Sequence, residues 1–154
     1  MYQFYFFRIV LMVSVATINV QGLRDQKKRK GIFQSLQTQS FDVVALQETH
    51  ADASVVSQWK REWPGLSCWS VAGPTSAGVA LLFSSKLNVS LLNDVSDKQG
   101  RVLRAIVNID DCKLQFLNVY GPNPVRLNES NHFFQNLDSY VDPQLPLILL
   151  GDFK

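Results

Sequence analysis

The chain has 154 residues, 46% of them hydrophobic and 18% charged, with a formal net charge of +2. That length suits one domain, which can bury roughly 70% of its extended-chain surface. The composition excludes a disordered or collagen-like chain, and the mild positive charge neither demands nor forbids a polyanionic partner.

The N-terminus, "MYQFYFFRIVLMVSVA", carries one charge, Arg8, and an apolar run from Ile9 to Ala16. Ser14-Val15-Ala16 has the small-residue character of a signal cleavage site, and the run is too short to span a bilayer. Against secretion, Arg8 abuts the run and aromatics take the place of a basic n-region. Cleavage would also cut Val13–Val20, which reads as one strand. Residues 1–11 are therefore set apart as a leader, and 12–154 as the domain. The preferred location is intracellular, with secretion as the minority alternative.

Beyond the leader, β-type runs alternate with helical stretches. Val, Ile, Leu and Phe predict strands at Val13–Val20, Asp42–Gln47, Ser67–Val71, Gly78–Ser84, Asn88–Asp94, Val102–Ile109, Lys113–Tyr120 and Leu145–Leu150. Helices are expected at Lys28–Gln39, with Ile32, Phe33 and Leu36 as the buried stripe, at Ala53–Glu62 and at Glu129–Val141. In the last, Phe133, Phe134, Leu137, Tyr140 and Val141 follow helical spacing and Pro143 stops the helix. Asp110-Asp111 and Ser84-Ser85-Lys86 look like hairpin tips. "DVVALQ" and "LPLILLG" are apolar at nearly every position, which predicts strands buried on both faces. The expected architecture is α/β, a layered sandwich of mixed sheets with helices outside. Cys68 and Cys112 lack metal-ligand spacing and read as buried free thiols, a disulfide being the alternative. The sequons at Asn88 and Asn128 carry little weight, since such triplets arise often by chance.

Four apolar strands finish on a polar residue followed by a loop. "ATIN" ends on Asn19, "VALQET" runs to Glu48, "LNVYGPN" carries Tyr120 with Asn123 just beyond, and "LILLGDF" delivers Asp152. If these ends meet at one edge, an amide, a phenol and two carboxylates converge. Taken singly, Asn19 and Asp152 are also ordinary turn formers, Glu48 a helix cap and Tyr120 an amphipathic core residue. Recurrence at four strand ends favours a site, and Glu48 has no β-propensity reason to follow its strand. Such oxygen donors suit a hard divalent cation, and no Cys or His cluster suggests zinc.

"TINVQGLRDQKKRKGIFQSLQTQSFDVVALQETH", "GVALLFSS", "LQFLNVYGPN" and "LILLGDF" stand in the order expected of the exonuclease–endonuclease–phosphatase superfamily. The wording is most similar to the endonuclease domain at the front of non-LTR (LINE-type) retrotransposon polyproteins. The resemblance covers the chain from about residue 12 to 154. It implies a four-layer, DNase I-like α/β sandwich that cuts DNA phosphodiesters with Mg²⁺ or Mn²⁺, nuclear if a retroelement product. Glu48 matches the family's metal-binding glutamate, Asn19 the asparagine beside the metal, Tyr120 the tyrosine at the scissile phosphate. Asp152 matches the aspartate that positions the attacking water. His50, Arg101, Asn123 and Lys154 are further candidates for substrate contact. The basic run Arg24, Lys27, Lys28, Arg29, Lys30 reads either as a phosphate contact or as a solvated helix entry.

Two departures stand out. The family's Gly-Asp-Phe-Asn is Gly151-Asp152-Phe153-Lys154 here, and an ammonium cannot ligate a metal. The family's later Ser-Asp-His motif is absent, since His50 and His132 sit in no such context. The expectation is a C-terminally truncated domain, the N-terminal two-thirds, weakly active or inactive by itself. The alternatives are a non-catalytic fragment with at most nucleic-acid binding, or another branch of the same superfamily, such as an abasic-site endonuclease, a secreted deoxyribonuclease or a lipid phosphodiesterase. A Cys68–Cys112 disulfide would favour the secreted type. Nothing in the sequence calls for a membrane or an obligate protein partner.

Overall fold

The structure is a computed structural model and describes residues 12–122 and 127–153. The proposed leader, Asn123 and Lys154 lie outside the described residues. Eight strands form two four-stranded sheets. The first contains β1 (Val15–Asn19), β2 (Val43–Gln47), β3 (Ser67–Ser70) and β4 (Val79–Phe83), in the order β1-β2-β4-β3. The second contains β5 (Val89–Ser96), β6 (Val102–Ile109), β7 (Cys112–Tyr120) and β8 (Leu147–Asp152), in the order β5-β6-β7-β8. Both sheets are mixed: β1–β2 and β7–β8 are parallel, and the other pairs are antiparallel.

Alternation along the strands builds the layers. Inward residues such as Val43, Ala45, Leu81, Phe83, Leu103, Val107 and Phe116 fill the gap between the sheets. The opposite face of the first sheet, with Val44, Leu46, Ala80 and Leu82, packs against α1 (Gln26–Gln39) and α2 (Ala53–Glu62) through Phe33, Leu36 and Trp59. The outer face of the second sheet, at Val102, Leu117 and Val119, is covered by Phe133, Leu137 and Tyr140. Helix, sheet, sheet, helix is the expected four-layer sandwich.

Local chemistry sets the helix ends. Asp25 caps α1 by accepting from the Lys28 amide at 2.6 Å, and Ser40 closes it in the left-handed region. Asp52 caps α2, accepting from the amide and hydroxyl of Ser54. Those Ser54 bonds and the Arg24 guanidinium pull its carboxyl down to about 2. A Cβ added at Gly31, inside α1, would have nothing within 4 Å. Gly31→Ala should therefore raise stability by about 0.5–1 kcal/mol, read as a higher midpoint in urea.

The structure corrects several expectations. Ser84-Ser85-Lys86 is no hairpin tip, because β4 and β5 lie in different sheets and the turn carries the chain across. Asp110-Asp111 is a hairpin tip as expected, both residues taking positive φ between paired β6 and β7. "DVVALQ" is buried throughout β2, but β8 is an edge strand among the described ones, with Leu147 at 41% and Leu149 at 48% exposure. The last helix is α3 (Leu127–Gln135) followed by a separate 3-10 turn, Leu137–Tyr140. The break falls where the Asn136 amide is shared between the His132 and Phe133 carbonyls, which tightens the chain.

The basic run divides: Lys27 and Lys30 are exposed, as a solvated helix entry would be, and Arg24, Lys28 and Arg29 are bonded within the fold. Arg29 is buried, paired with both carboxylate oxygens of Glu62 at 2.7 and 2.9 Å and stacked over Trp59. It takes a place in the buried stripe that Ile32, only half-buried, does not fill. Arg24 bonds Asp52 and the His50 carbonyl, and Lys28 bonds the Gln21 carbonyl. Cys68 and Cys112 are free thiols, but of the two only Cys68 is buried, which pushes its thiol up to about 12, while Cys112 at the hairpin end of β7 is half-buried. No helix among the described residues is long and apolar enough to cross a membrane.

Candidate functional site

The two parallel pairs place four strand ends on one side. β1 and β2 run together, so Asn19 sits beside Gln47 and just ahead of Glu48. β7 and β8 run together, so Tyr120 lies directly opposite Asp152. The Asn19 amide nitrogen donates to Glu48 Oε1 at 2.9 Å and to Asp152 Oδ2 at 2.8 Å. The Tyr120 hydroxyl donates to the same Glu48 Oε1 at 2.6 Å. One continuous set of hydrogen bonds thus joins all four predicted strand-end residues, across both sheets.

The loops around them are stitched by main-chain bonds. Gly22 N donates to Glu48 O, Thr49 N to Gly78 O, Gly78 N to Gly100 O, Tyr120 N to Arg101 O and Gly121 N to Asp152 O, all at 2.7–2.9 Å. Gln21, Glu48, His50 and Ala77 hold positive φ, four of the seven such non-glycine residues described. Left-handed backbone at such residues costs of order 1–3 kcal/mol each and gathers where geometry matters. Gly78 is required here, since a Cβ would meet the Thr49 hydroxyl at 2.4 Å with φ at +84°.

Two secondary candidates join the site. His50 Nε2 is 3.9 Å from Glu48 Oε2. Arg101 lies over the Tyr120 ring, 5.3 Å from its centroid, and donates to the Gly121 carbonyl at 3.1 Å. Together with Thr75, Ser76, Ala77 and Gln99, these residues line a cleft of about 340 Å³. Ser76 and Gln99 are additions that the sequence does not announce; isolated polar residues in loops give no signal of convergence.

The two carboxylates suit a hard cation, while the Asn19 amide presents its nitrogen to them and its oxygen to the Gln21 amide. Two carboxylates flank one amide, and among the described residues no three His, Cys, Asp or Glu side chains are placed to hold a metal ion. Carboxylate and amide oxygens are what Mg²⁺ or Mn²⁺ prefers, with several positions left to water and substrate. Asn19 Oδ1 accepts from the Gln21 amide at 3.1 Å and retains a second lone pair. Two carboxylates sharing one amide nitrogen repel each other, and a cation between them would relieve that once the Asn19 nitrogen turns away.

Known proteins carry the same frame. A model described as "Endonuclease/Exonuclease/phosphatase family" matches residues 16–153. An endonuclease/exonuclease/phosphatase family protein from Bacteroides thetaiotaomicron superposes with a TM-score of 0.61 at 16% identity, over 92% of this chain and 63% of that one. The human Nocturnin catalytic domain, solved with a bound sulfate anion, gives 0.63 at 15% identity, over 92% and 64%. An AP endonuclease from Archaeoglobus fulgidus gives 0.66 at 21% identity, over 92% and 57%. The chain thus spans 57–64% of the length of these structures. At such identities the likeness is one of fold.

Proposed function

Because the chain belongs to the endonuclease/exonuclease/phosphatase family, we propose that its strand-end cluster is the metal and phosphate half of a phosphodiesterase site acting on DNA. The observation that carries this is the meeting of Asn19, Glu48, Tyr120 and Asp152 through bonds of 2.6–2.9 Å. Glu48 would hold Mg²⁺ or Mn²⁺ together with Asn19, once the Asn19 amide turns its oxygen from the Gln21 amide to the ion, and the ion when bound would stabilise charge on the phosphoryl oxygens. The Tyr120 phenol, whose one hydrogen goes to Glu48 Oε1 here, would release that oxygen to the ion and donate to the scissile phosphate where charge develops. Asp152 orients the attacking water. Arg101 and His50, on the cleft rim, meet the anionic backbone on either side. The wording of "NVQGLRDQKKRK" and "QETHAD" favours a retroelement endonuclease, working in the nucleus.

Residues 1–154 turn over slowly or not at all under this reading. Their two histidines stand in no Ser-Asp-His motif, and losing a general acid–base typically costs about 10²–10⁴-fold in rate. Purified 1–154 should give no robust Mg²⁺-dependent nicking of supercoiled plasmid. Nicking that disappears in Glu48→Ala would overturn the inactivity and support the site. The site itself is tested by Mn²⁺ binding, followed by electron paramagnetic resonance. Absence of binding to the wild-type chain would remove the proposal.

A further inference from the structure

One layer beneath the strand ends, the apolar gap between the sheets is interrupted by amides. Asn118 and Gln47 are 0% and 1% exposed. Gln47 Nε2 donates to Asn118 Oδ1 at 2.7 Å, across the gap. Asn118 Nδ2 donates to the Leu46 carbonyl on β2 at 3.0 Å and to the Ala80 carbonyl on β4 at 2.8 Å. Gln47 Nε2 also donates to the Thr17 hydroxyl at 3.0 Å, and that hydroxyl lies 3.5 Å from the Gly151 carbonyl on β8.

The placement follows the site strand by strand. Thr17 precedes Asn19 by two residues, Gln47 precedes Glu48 by one, Asn118 precedes Tyr120 by two and Gly151 precedes Asp152 by one. We infer that Gln47 and Asn118, extended by Thr17, are positioning residues that lock the two sheets in the one alignment that brings Tyr120 and Asp152 onto Asn19 and Glu48. This rests on the reading of those four residues as the metal and phosphate site.

The physical case is one of direction. Apolar contacts between stacked sheets are non-directional, so packing alone leaves the sheets free to settle by fractions of an ångström. A phenol–carboxylate bond of 2.6 Å between sheets tolerates little of that. Amides buried in an apolar layer are costly unless bonded. Both hydrogens of Asn118 and both of Gln47 have acceptors here, so the pair can be kept at small net cost. Two leucines would fill similar volume without fixing depth or direction.

The test uses Gln47→Leu, Asn118→Leu and the double variant in the 154-residue chain. Two readouts are taken: Mn²⁺ affinity by paramagnetic resonance, and the ¹⁹F resonance of 3-fluorotyrosine at position 120, assigned with Tyr120→Phe. Each single change leaves one buried polar atom of the other amide unpaired, Asn118 Oδ1 or a Gln47 N–H, and should lower the Tm by about 4–10 °C. The double variant should recover most of that loss. It should still bind Mn²⁺ about 10–100-fold more weakly, the usual effect of removing groups that orient a ligand. Its ¹⁹F resonance should also leave the wild-type position. A double variant with wild-type affinity and wild-type ¹⁹F shift would overturn the inference. If the wild-type chain binds no Mn²⁺, the metal reading fails by itself. The ¹⁹F shift then still decides whether the amides hold Tyr120. Should the single variants fail to fold, Thr17→Val, at the exposed end of the same chain of bonds, serves with the same two readouts.

Discussion

Glu48→Ala should weaken Mn²⁺ binding by more than about 100-fold, beyond the 10–100-fold typical of groups that only support a ligand. Glu48 is the hub of the cluster. One of its oxygens takes both the Asn19 amide and the Tyr120 hydroxyl, and the other faces His50. Removing it would delete the proposed ligand and the acceptor that Asn19 and Tyr120 share. Glu48→Gln separates these effects, since it keeps the volume and removes the charge. Glu48 and Asp152 both reach the same amide nitrogen, so their mutual repulsion opposes folding when no cation is bound. Glu48→Gln should therefore keep the wild-type Tm or exceed it in chelator. Saturating Mn²⁺ should raise the wild-type Tm, by about 2.7 kcal/mol of added stability at a hundredfold excess over Kd, and leave the variant's unmoved. A variant that gains as much as the wild type would show that Glu48 holds no metal.

What is legible in the sequence divides along a physical line. The strand pattern predicts β6 to the residue, and β2, β3 and β4 to within one at each end, because alternation and β-branched content are local properties. The site's outline is legible for the same reason: polar residues at the ends of apolar strands are visible in one dimension. Partnership between distant segments is not. Nothing near Ser84-Ser85-Lys86 tells whether the next strand pairs back or crosses to another sheet. Arg29 looks like part of a solvated run because its partner Glu62 lies 33 residues away. Leu147 and Leu149 look buried in sequence, yet only neighbours can bury a strand, and the cover of that face over Leu117 and Val119 leaves these two edge-strand residues half exposed. Gln47 and Asn118 do leave a trace, as amides at inward positions of strands otherwise apolar there. Their meaning requires knowing that the two inward faces meet.

Gly151→Ala tests how the fold delivers Asp152. In the parallel register of β7 and β8, Gly151 lies opposite Val119 and Asp152 opposite Tyr120. A Cβ at Gly151 would sit 2.2 Å from the Val119 carbonyl oxygen and 3.1 Å from its carbon. Those are backbone atoms of a buried strand, so no rotamer change can make room. The relief available is for β8 to peel from β7 at the point where Asp152 emerges. That movement would strain the Gly121 N to Asp152 O bond and the Asn19 bond to the Asp152 carboxylate, 2.9 and 2.8 Å. Overpacking of this kind costs about 1–3 kcal/mol. The variant should thus unfold at lower urea and bind Mn²⁺ at least about 10-fold more weakly, as when a ligand's support is lost. Gly31→Ala, made in open space on α1, is the matched control and moves stability the other way. Unchanged urea midpoint and unchanged Mn²⁺ affinity in Gly151→Ala would show that β8 shifts freely, and that the glycine before Asp152 is not a requirement of the site.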